Sequence, residues 1–165
     1  MSRFTATVES SAALVSGATT GSTANGWFAS VVSGATANYK LRRATLGCIA
    51  GTGAPSSQQI QVAIFRQTTR ATGSLTTASG AAWDPRSAAS AIQGMDTAFT
   101  GSAPILGANP MARFTFNTQS GYDIPAELLE EWICDQTTAN GLSFVNMDNA
   151  LPTSHKLTLF AEWEE

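Results

Sequence analysis

The chain has 165 residues and a net charge of −3, and 79 of its residues are Ala, Thr, Ser or Gly. Its charged fraction of 13% lies far below the ~25% of an ordinary soluble domain, whereas its apolar fraction of 43% is ordinary, and this balance excludes a disordered chain. With one His and two Cys, the composition also offers little for nucleophiles, metal ligands or phosphate clamps, and it indicates an assembly protein whose surface packs against other protein.

The length predicts one structural unit. Residues 1–37 are expected to hold a first strand and a Ser/Ala/Gly/Thr-rich extended arm or loop, and residues 38–165 a β-sandwich. The N-terminal sequence does not resemble a signal peptide, and no segment approaches the ~20 apolar residues that a membrane span requires. We therefore expect a soluble protein made in the cytoplasm, without a membrane partner.

Alternation of apolar and polar side chains predicts strands along most of the chain. The first covers residues 4–9, and a short one interrupts the low-complexity segment at residues 27–32. Further strands are predicted at residues 39–50, 60–65, 95–99, 112–116, 142–146 and 157–163. Turns separate them, as at Trp83-Asp84-Pro85-Arg86, where Pro fixes φ and Asp can bond forward to the backbone.

Residues 123–135 admit two interpretations. Pro125 and the acids around it resemble a helix start, whereas an alternating pattern continues from Leu128 to Asp135. We favour a strand from about Glu130, after one helical turn, because the neighbouring segments are all β. Asn140-Gly141 is then a hairpin-turn signal ahead of the strand at residues 142–146.

The sequence thus predicts an all-β fold of about eight short strands with little helix. Many short strands joined by turns favour an antiparallel β-sandwich, and a jelly roll is an eight-strand arrangement of that type. No internal repeat of fixed period is present.

Charge is divided unevenly along the chain. Residues 1–120 carry eight bases and three acids, whereas residues 121–165 carry nine acids and one base. Either folding intermixes the two sets within one molecule, or opposite patches meet between copies or on a partner, where complementary charge fixes the register. The bases are scattered, with only Arg42 and Arg43 adjacent, so no nucleic-acid partner is predicted.

No set of residues predicts an enzyme, a cofactor or a metal site. Phosphate-loop and nucleophile-elbow motifs do not occur, and the one histidine, His155, is expected to be exposed at the start of the last strand. Cys48 and Cys134 match no metal or redox spacing and are expected to be buried free thiols, with a disulfide between them as the alternative.

The acidic residues also predict no site. The densest group is expected to spread over a solvated face rather than to form a catalytic pair, and it comprises Glu127, Glu130, Glu131 and Asp135. Calcium would be the best match among ions for the hard oxygen ligands of the loops, although no EF-hand spacing is present. Those ligands are Asp123, Asp135, Asp148 and Asn149.

The aromatic residues are the remaining candidates. Trp132 and Trp163 are in phase with predicted strands and are expected in the core. Trp27 and Trp83 lie among small residues, where each is a subunit contact, a local hydrophobic plug or part of a sugar-stacking platform. The candidate interface residues are Trp27, Phe28, Trp83, Arg42, Arg43, Glu130 and Glu131.

Several segments together resemble a group of small virion proteins of tailed bacteriophages that infect Gram-positive hosts. The similarity covers most of residues 38–165, together with the alternating strand at residues 4–9. Its most specific parts are Gly141-Leu-Ser-Phe-Val-Asn146 and the ending Trp163-Glu-Glu165. The others are the strand at residues 39–49, Gln61-Val-Ala-Ile-Phe65-Arg66, Leu75-Thr-Thr with Asp84-Pro85, and Ala103-Pro104-Ile-Leu-Gly107. The resemblance implies a β-sandwich structural protein on the particle and brings no catalytic motif.

Composition and resemblance together predict a virion structural protein. The first role is a capsid decoration or cement protein, a homotrimer that binds the major capsid protein or another virion protein on the outer shell. The alternative is a tail or fibre component that binds host surface carbohydrate through Trp27 and Trp83. An enzyme such as a wall hydrolase lacks a residue set, and no cofactor is expected.

Overall fold

The computed structural model describes residues 1–17, 23–125 and 132–165, which form two antiparallel β-sheets packed face to face. The predicted all-β sandwich is confirmed. The strands are β1 (Arg3–Glu9), β2 (Trp27–Val32), β3 (Tyr39–Ile49), β4 (Gln59–Thr69), β5 (Thr76–Ala78), β6 (Ala81–Ala82), β7 (Gly94–Ala98), β8 (Ile105–Leu106), β9 (Ala112–Asn117), β10 (Tyr122–Pro125), β11 (Trp132–Cys134), β12 (Gly141–Asn146) and β13 (Lys156–Glu164). Among the described residues the one helix is a short 3₁₀ turn at Thr23–Gly26, and no helix has the length and apolarity to cross a membrane.

Six strands form sheet A, in the order β10-β3-β13-β1-β6, with β11 also paired to β3. Seven strands form sheet B, in the order β5-β7-β2-β12-β4-β8, with β9 also paired to β4. β13 pairs with β3 on one side and with β1 on the other, so it occupies the middle of sheet A.

Eight of the strands have the connectivity of a jelly roll. β1 pairs with β13, β2 with β12, β3 with β10, and β4 with β9, so the first four strands meet the last four in reverse order. A chain paired in this way is one long hairpin that rolls up into two sheets. The other strands are insertions: β5 to β8 lie between β4 and β9, and β11 lies between β10 and β12. The predicted strand number therefore matches the jelly roll without its insertions.

The N-terminal part of the chain belongs to the sandwich. β1 lies between β13 and β6 in sheet A, and β2 lies between β7 and β12 in sheet B. Between them, Ser10 and Leu14 are buried, and the Gly17 amide donates to the carbonyl of Asn146. Residues 18–22 of the expected arm lie outside the described residues. The two parts that the sequence separated at residue 37 thus form one structural unit.

The turn at Asn140-Gly141 does not form the predicted hairpin, because β11 lies in sheet A and β12 in sheet B. The Asn140 amide instead donates to the hydroxyl of Thr137 (2.9 Å), in a turn that carries the chain from one sheet to the other. Gly141 begins β12, where a Cβ would lie only 2.6 Å from the carbonyl oxygen of Val31. The expected strand is present as β11, and the helical turn expected before it falls at residues 126–131, outside the described residues.

The main core lies between the inner faces of the sheets. Its largest fully buried side chains include Phe4, Phe28, Phe144 and Trp163, and the rings of Phe4 and Trp163 are stacked with centroids 6.2 Å apart. The core position expected for Trp163 is confirmed. Each such side chain contributes about 1.5–3 kcal/mol through burial.

Sheet B carries a second apolar cluster on its outer face. Trp27, Ala63, Phe65 and Val145 form this cluster, and Phe99, Leu106 and Met147 pack against it. The chain between β4 and β9 supplies part of that cover, and β2 and β12 are buried along their whole lengths. The centre of sheet B is therefore buried on both faces, unlike sheet A.

The close approach of Gly80 to Trp163 allows this packing to be tested by substitution. A Cβ on Gly80 would overlap the indole of Trp163 and lie 3.2 Å from Cβ of Phe4. Because both side chains are fully packed in the core, we expect Gly80→Ala to lower the free energy of unfolding in urea by about 1–3 kcal/mol.

Gly107→Ala is the matched control. Its Cβ would lie 3.5 Å from the carbonyl oxygen of Arg66, which is ordinary van der Waals contact, so we expect a change within about 0.5 kcal/mol. Equal effects of the two substitutions would contradict this description of the core.

Candidate functional site

The structure places Trp27 and Phe28 in the interior, which corrects their assignment to an interface. They alternate along β2, so Phe28 faces the main core beside Phe144 (ring centroids 6.4 Å), and Trp27 faces the outer cluster of sheet B. Trp27 is only 5% exposed and packs on Phe99 at 5.4 Å. Of the interpretations offered for Trp27, the hydrophobic plug is confirmed.

A row of buried polar side chains accompanies Trp27 on the outer side of sheet B. The Trp27 indole N–H donates to Oγ of Ser30 (2.6 Å), and that hydroxyl pairs with Oγ of Ser143 (2.6 Å). Ser143 in turn donates to the side-chain oxygen of Gln67 (3.1 Å), whose amide nitrogen donates to the carbonyl of Ala139 (2.9 Å). Each buried donor is thereby satisfied, so this row serves the packing of the cover and offers no open binding group.

A partly buried ion pair joins β7 to the start of the chain inserted after β4. Asp96 on β7 is 1% exposed, and the guanidinium of Arg70 donates to both of its carboxylate oxygens (2.6 and 2.7 Å). Thr77 on β5 donates to the same carboxylate (2.6 Å), and Arg70 also donates to Gln93 (2.9 Å). The hydrogen bond to Asp96 raises the pKa of Arg70. Sequence reasoning did not predict this pair, because its members are 26 residues apart.

Charges on the outer face of sheet A pair within the molecule. Arg3 lies 3.3 Å from Glu162, Arg42 donates to Glu164 (2.6 Å), and Arg43 donates to Asp123 (2.7 Å). Strand pairing sets these contacts, since β3 lies beside both β10 and β13. Bases of the first part of the chain therefore meet acids of the last part inside one copy, as the first of the two interpretations of the charge pattern expected.

These pairs engage Arg42 and Arg43 within one copy, and their place at an interface stays a prediction. The hydrogen bond from the Arg43 guanidinium, followed by that from the Thr45 hydroxyl, lowers the pKa of Asp123. Asp123 is thus held as the partner of Arg43. The predicted interface acids, Glu130 and Glu131, lie outside the described residues, as does Glu127.

His155 is buried rather than exposed, which corrects the sequence expectation. It is 3% exposed and follows Ser154, whose positive φ of 69° turns the chain just before β13. Its Nδ1 lies 3.1 Å from the carbonyl oxygen of Thr153, and its Nε2 lies 3.4 Å from Oγ of Ser56. The imidazole therefore lines a cleft of about 560 Å³ at one end of the sandwich.

The cleft brings together Ser56, His155 and Cys48 without the close hydrogen bond that marks an activated nucleophile. At 3.4 Å, the contact of Ser56 with His155 is longer than the ~2.6–3.2 Å expected of a nucleophile and its base. Burial raises the pKa of the Cys48 thiol, which disfavours the reactive thiolate. Thr118 ties Ser56 to the neighbouring turn through a 2.6 Å hydrogen bond to the Ser56 carbonyl. We interpret this group of residues as structural, closing one end of the sandwich.

Both cysteines are free, as expected from their spacing. Cys134 is buried, whereas Cys48 is only partly buried, and burial raises the pKa of each thiol. Within residues 1–17, 23–125 and 132–165, no group of three or more His, Cys, Asp or Glu side chains could hold a metal ion. Among the proposed oxygen ligands, Asp123 is engaged by Arg43, and the amide of Asn149 donates to the carbonyl of Gln59 (3.2 Å).

Trp83 is a predicted interface residue that the structure leaves exposed. Its side chain is 62% exposed, directly after the edge strand β6. The loop that carries it is held in place: the Trp83 amide donates to the carbonyl of Arg3 (3.0 Å), and Asp84 accepts from the amide and guanidinium of Arg86. At the far end, Ser90 and the amide of Ala91 donate to the carboxylate of Glu165.

The surroundings of Trp83 are small and exposed. Residues 81–86 form an uninterrupted exposed run, and the exposed residues beyond it are alanines at positions 88, 89 and 91. Trp132, by contrast, is half-buried against Phe114, with ring centroids 6.3 Å apart. An indole on a fixed loop among alanines can enter a pocket of another molecule with little loss of conformational entropy.

Comparisons of this chain with protein-family models, with curated proteins and with solved structures found no match.

The ion pair of Arg70 with the buried Asp96 provides a test of the packing over the outer face of sheet B. Arg70→Met leaves the Asp96 carboxylate buried without its partner, so we expect the free energy of unfolding to fall by about 3 kcal/mol. Urea unfolding measures the change, and acrylamide quenching of tryptophan fluorescence reports whether Trp27 becomes accessible.

Arg86→Met is the control, because Arg86 pairs with Asp84 in solvent and such pairs contribute little. We expect no measurable change in stability or quenching for this variant. If the two arginine variants behaved alike, the ion pair would not hold the cover.

Proposed function

We propose that this protein is a structural component of a bacteriophage virion, and specifically a decoration or cement protein that stabilises the head shell. The resemblance of its segments to small phage virion proteins supports this proposal. So does a composition with few charges and many small residues, which suits a surface that other protein covers.

The observation that carries the proposal is the fixed, exposed loop at Trp83. Interface hot spots are enriched in Trp, and they work best on rigid elements that lose little freedom on binding. The hydrogen bonds to Arg3 and Glu165 supply that rigidity at both ends of the loop. Small neighbours such as Ala81 and Ala82 allow a partner to approach closely.

The fold is compatible with this role. Jelly rolls build many viral coat domains, although the same fold also occurs in lectins and enzymes, so it supports the role only by analogy. On this proposal the partners are the major capsid protein or another virion protein, together with further copies of the chain in a homotrimer. Residence on the virion follows from the same proposal.

The shell role leads to a measurable expectation. Phage heads that lack this protein should assemble but release their DNA at a lower temperature than complete heads, because a bound cement protein stabilises the assembled state by mass action. Dye-detected DNA release during heating measures the shift. Adding back the purified wild-type chain should restore the release temperature, and identical release with and without the protein would exclude the cement role.

The exposed indole also favours one alternative, a tail or fibre component that binds host carbohydrate. Indole faces stack on the apolar faces of sugars, and Asp84 and Arg86 stand beside Trp83 as hydrogen-bonding groups. Trp27, the other candidate for that platform, is buried and cannot contribute.

The alternative is tested by binding to host-wall polysaccharide. If the protein recognises sugar at Trp83, the wild-type chain binds the polysaccharide and Trp83→Ala loses at least about tenfold in affinity. Ile105→Ala is the control and should bind like the wild type, because Ile105 is exposed on β8 of the other sheet. Equal binding by both variants, or none by the wild type, would exclude sugar recognition at Trp83.

A further inference from the structure

The molecule carries both a protruding indole and a groove that suits one. Trp83 is 62% exposed, and its indole N–H makes no hydrogen bond within the described part of the chain. A buried indole N–H needs an acceptor, so a partner of Trp83 must provide an apolar wall together with a polar rim.

The groove provides that combination. It has a volume of about 410 Å³ and lies against the outer cluster of sheet B. Leu14, Val15, Trp27, Ala98 and Phe99 form its apolar walls, with Val15 43% exposed, and Ser11 and Asn25 supply oxygen acceptors. Phe99, which is partly exposed and lies 5.4 Å from the buried Trp27 ring, offers an aromatic surface to a further ring.

The indole and the groove lie near opposite ends of β1. The Trp83 amide is bonded to Arg3, the first residue of β1. The groove begins at Ser11, two residues after the last residue of β1. A strand of this length spans about 20 Å. One copy therefore cannot fill its own groove, whereas a second copy placed end to end can do so.

We propose that the occupant of the groove is Trp83 of a second copy of this chain, so that copies join head to tail. The inference rests on the proposed assembly role and names the contact that builds the oligomer. A head-to-tail contact is heterologous: it uses two different surfaces of each copy and closes into a ring or continues as a filament. A closed ring is the form compatible with the homotrimer expected from the sequence.

Sedimentation velocity of the full chain over a range of concentrations tests the proposal. The wild type should form species larger than a dimer as concentration rises. Trp83→Ala removes the indole and Val15→Glu places a charge in the groove, so each should weaken self-association at least about tenfold. Ile105→Ala is the matched control for loss of an exposed apolar side chain and should assemble like the wild type.

Mixing the two defective variants distinguishes a head-to-tail contact from a symmetric one. Trp83→Ala keeps an intact groove and Val15→Glu keeps an intact indole, so a mixture should form a one-to-one dimer and nothing larger. If Val15→Glu fails to fold, Ala98→Glu takes its place, because Ala98 is exposed on another wall of the groove. Fluorescence quenching should also fall on assembly of the wild type, as Trp83 becomes covered.

Several results would overturn the proposal: a monomeric wild type at all concentrations, unchanged assembly of Trp83→Ala, or no dimer in the mixture. Sugar binding by the monomer that Trp83→Ala abolishes would also overturn it, since the indole would then serve another ligand. The experiments distinguish failure of this head-to-tail contact from failure of the proposed cement function. Trp83-dependent oligomers that leave phage heads unaffected would refute only the shell role, and head stabilisation by a chain without Trp83-dependent association would refute only the contact.

Discussion

Burial of the centre of sheet B on both faces is the constraint on which the rest of the molecule depends. β2 and β12 bear apolar or small side chains on each side, so the outer face must be covered as well as the inner one. The chain inserted between β4 and β9 supplies part of that cover, and the ion pair of Arg70 with the buried Asp96 joins β7 to the start of this insertion. The same insertion forms one wall of the groove and carries Trp83, so cover and contact surface arise together.

Sheet A differs from sheet B in its outer face, which no other part of the described chain covers. Its outer face is open and charged, but pairs such as Arg42 with Glu164 and Arg43 with Asp123 neutralise much of that charge within the molecule. Few solvated ion pairs contribute much to stability, so their effect is to leave little net charge with which to attract a partner. Recognition is thereby left to apolar features on the rest of the surface, among which Trp83 has the largest exposed side chain.

Sequence reasoning succeeded for strands with one face exposed to solvent and the other buried. Alternation at β1 and β13 predicted both strands and the burial of Trp163. It failed where both faces of a strand are buried. Trp27 was assigned to the surface because the residues that pack against it, such as Phe99, lie about 70 positions away in the sequence. His155 was misplaced because the turn at Ser154, not the strand pattern, directs it inward. Long-range pairs such as Arg70 with Asp96 leave no periodic signal.

The place of β13 in the middle of sheet A has a consequence for biosynthesis. It lies C-terminal to every other described strand, yet it separates β1 from β3. While the ribosome is still making the chain, those two strands have emerged with edges that nothing pairs. Contacts between the first and last strands also raise the contact order, which slows folding. The facing edges of β1 and β3 can therefore pair only after translation of β13, and unpaired strand edges of this kind favour aggregation.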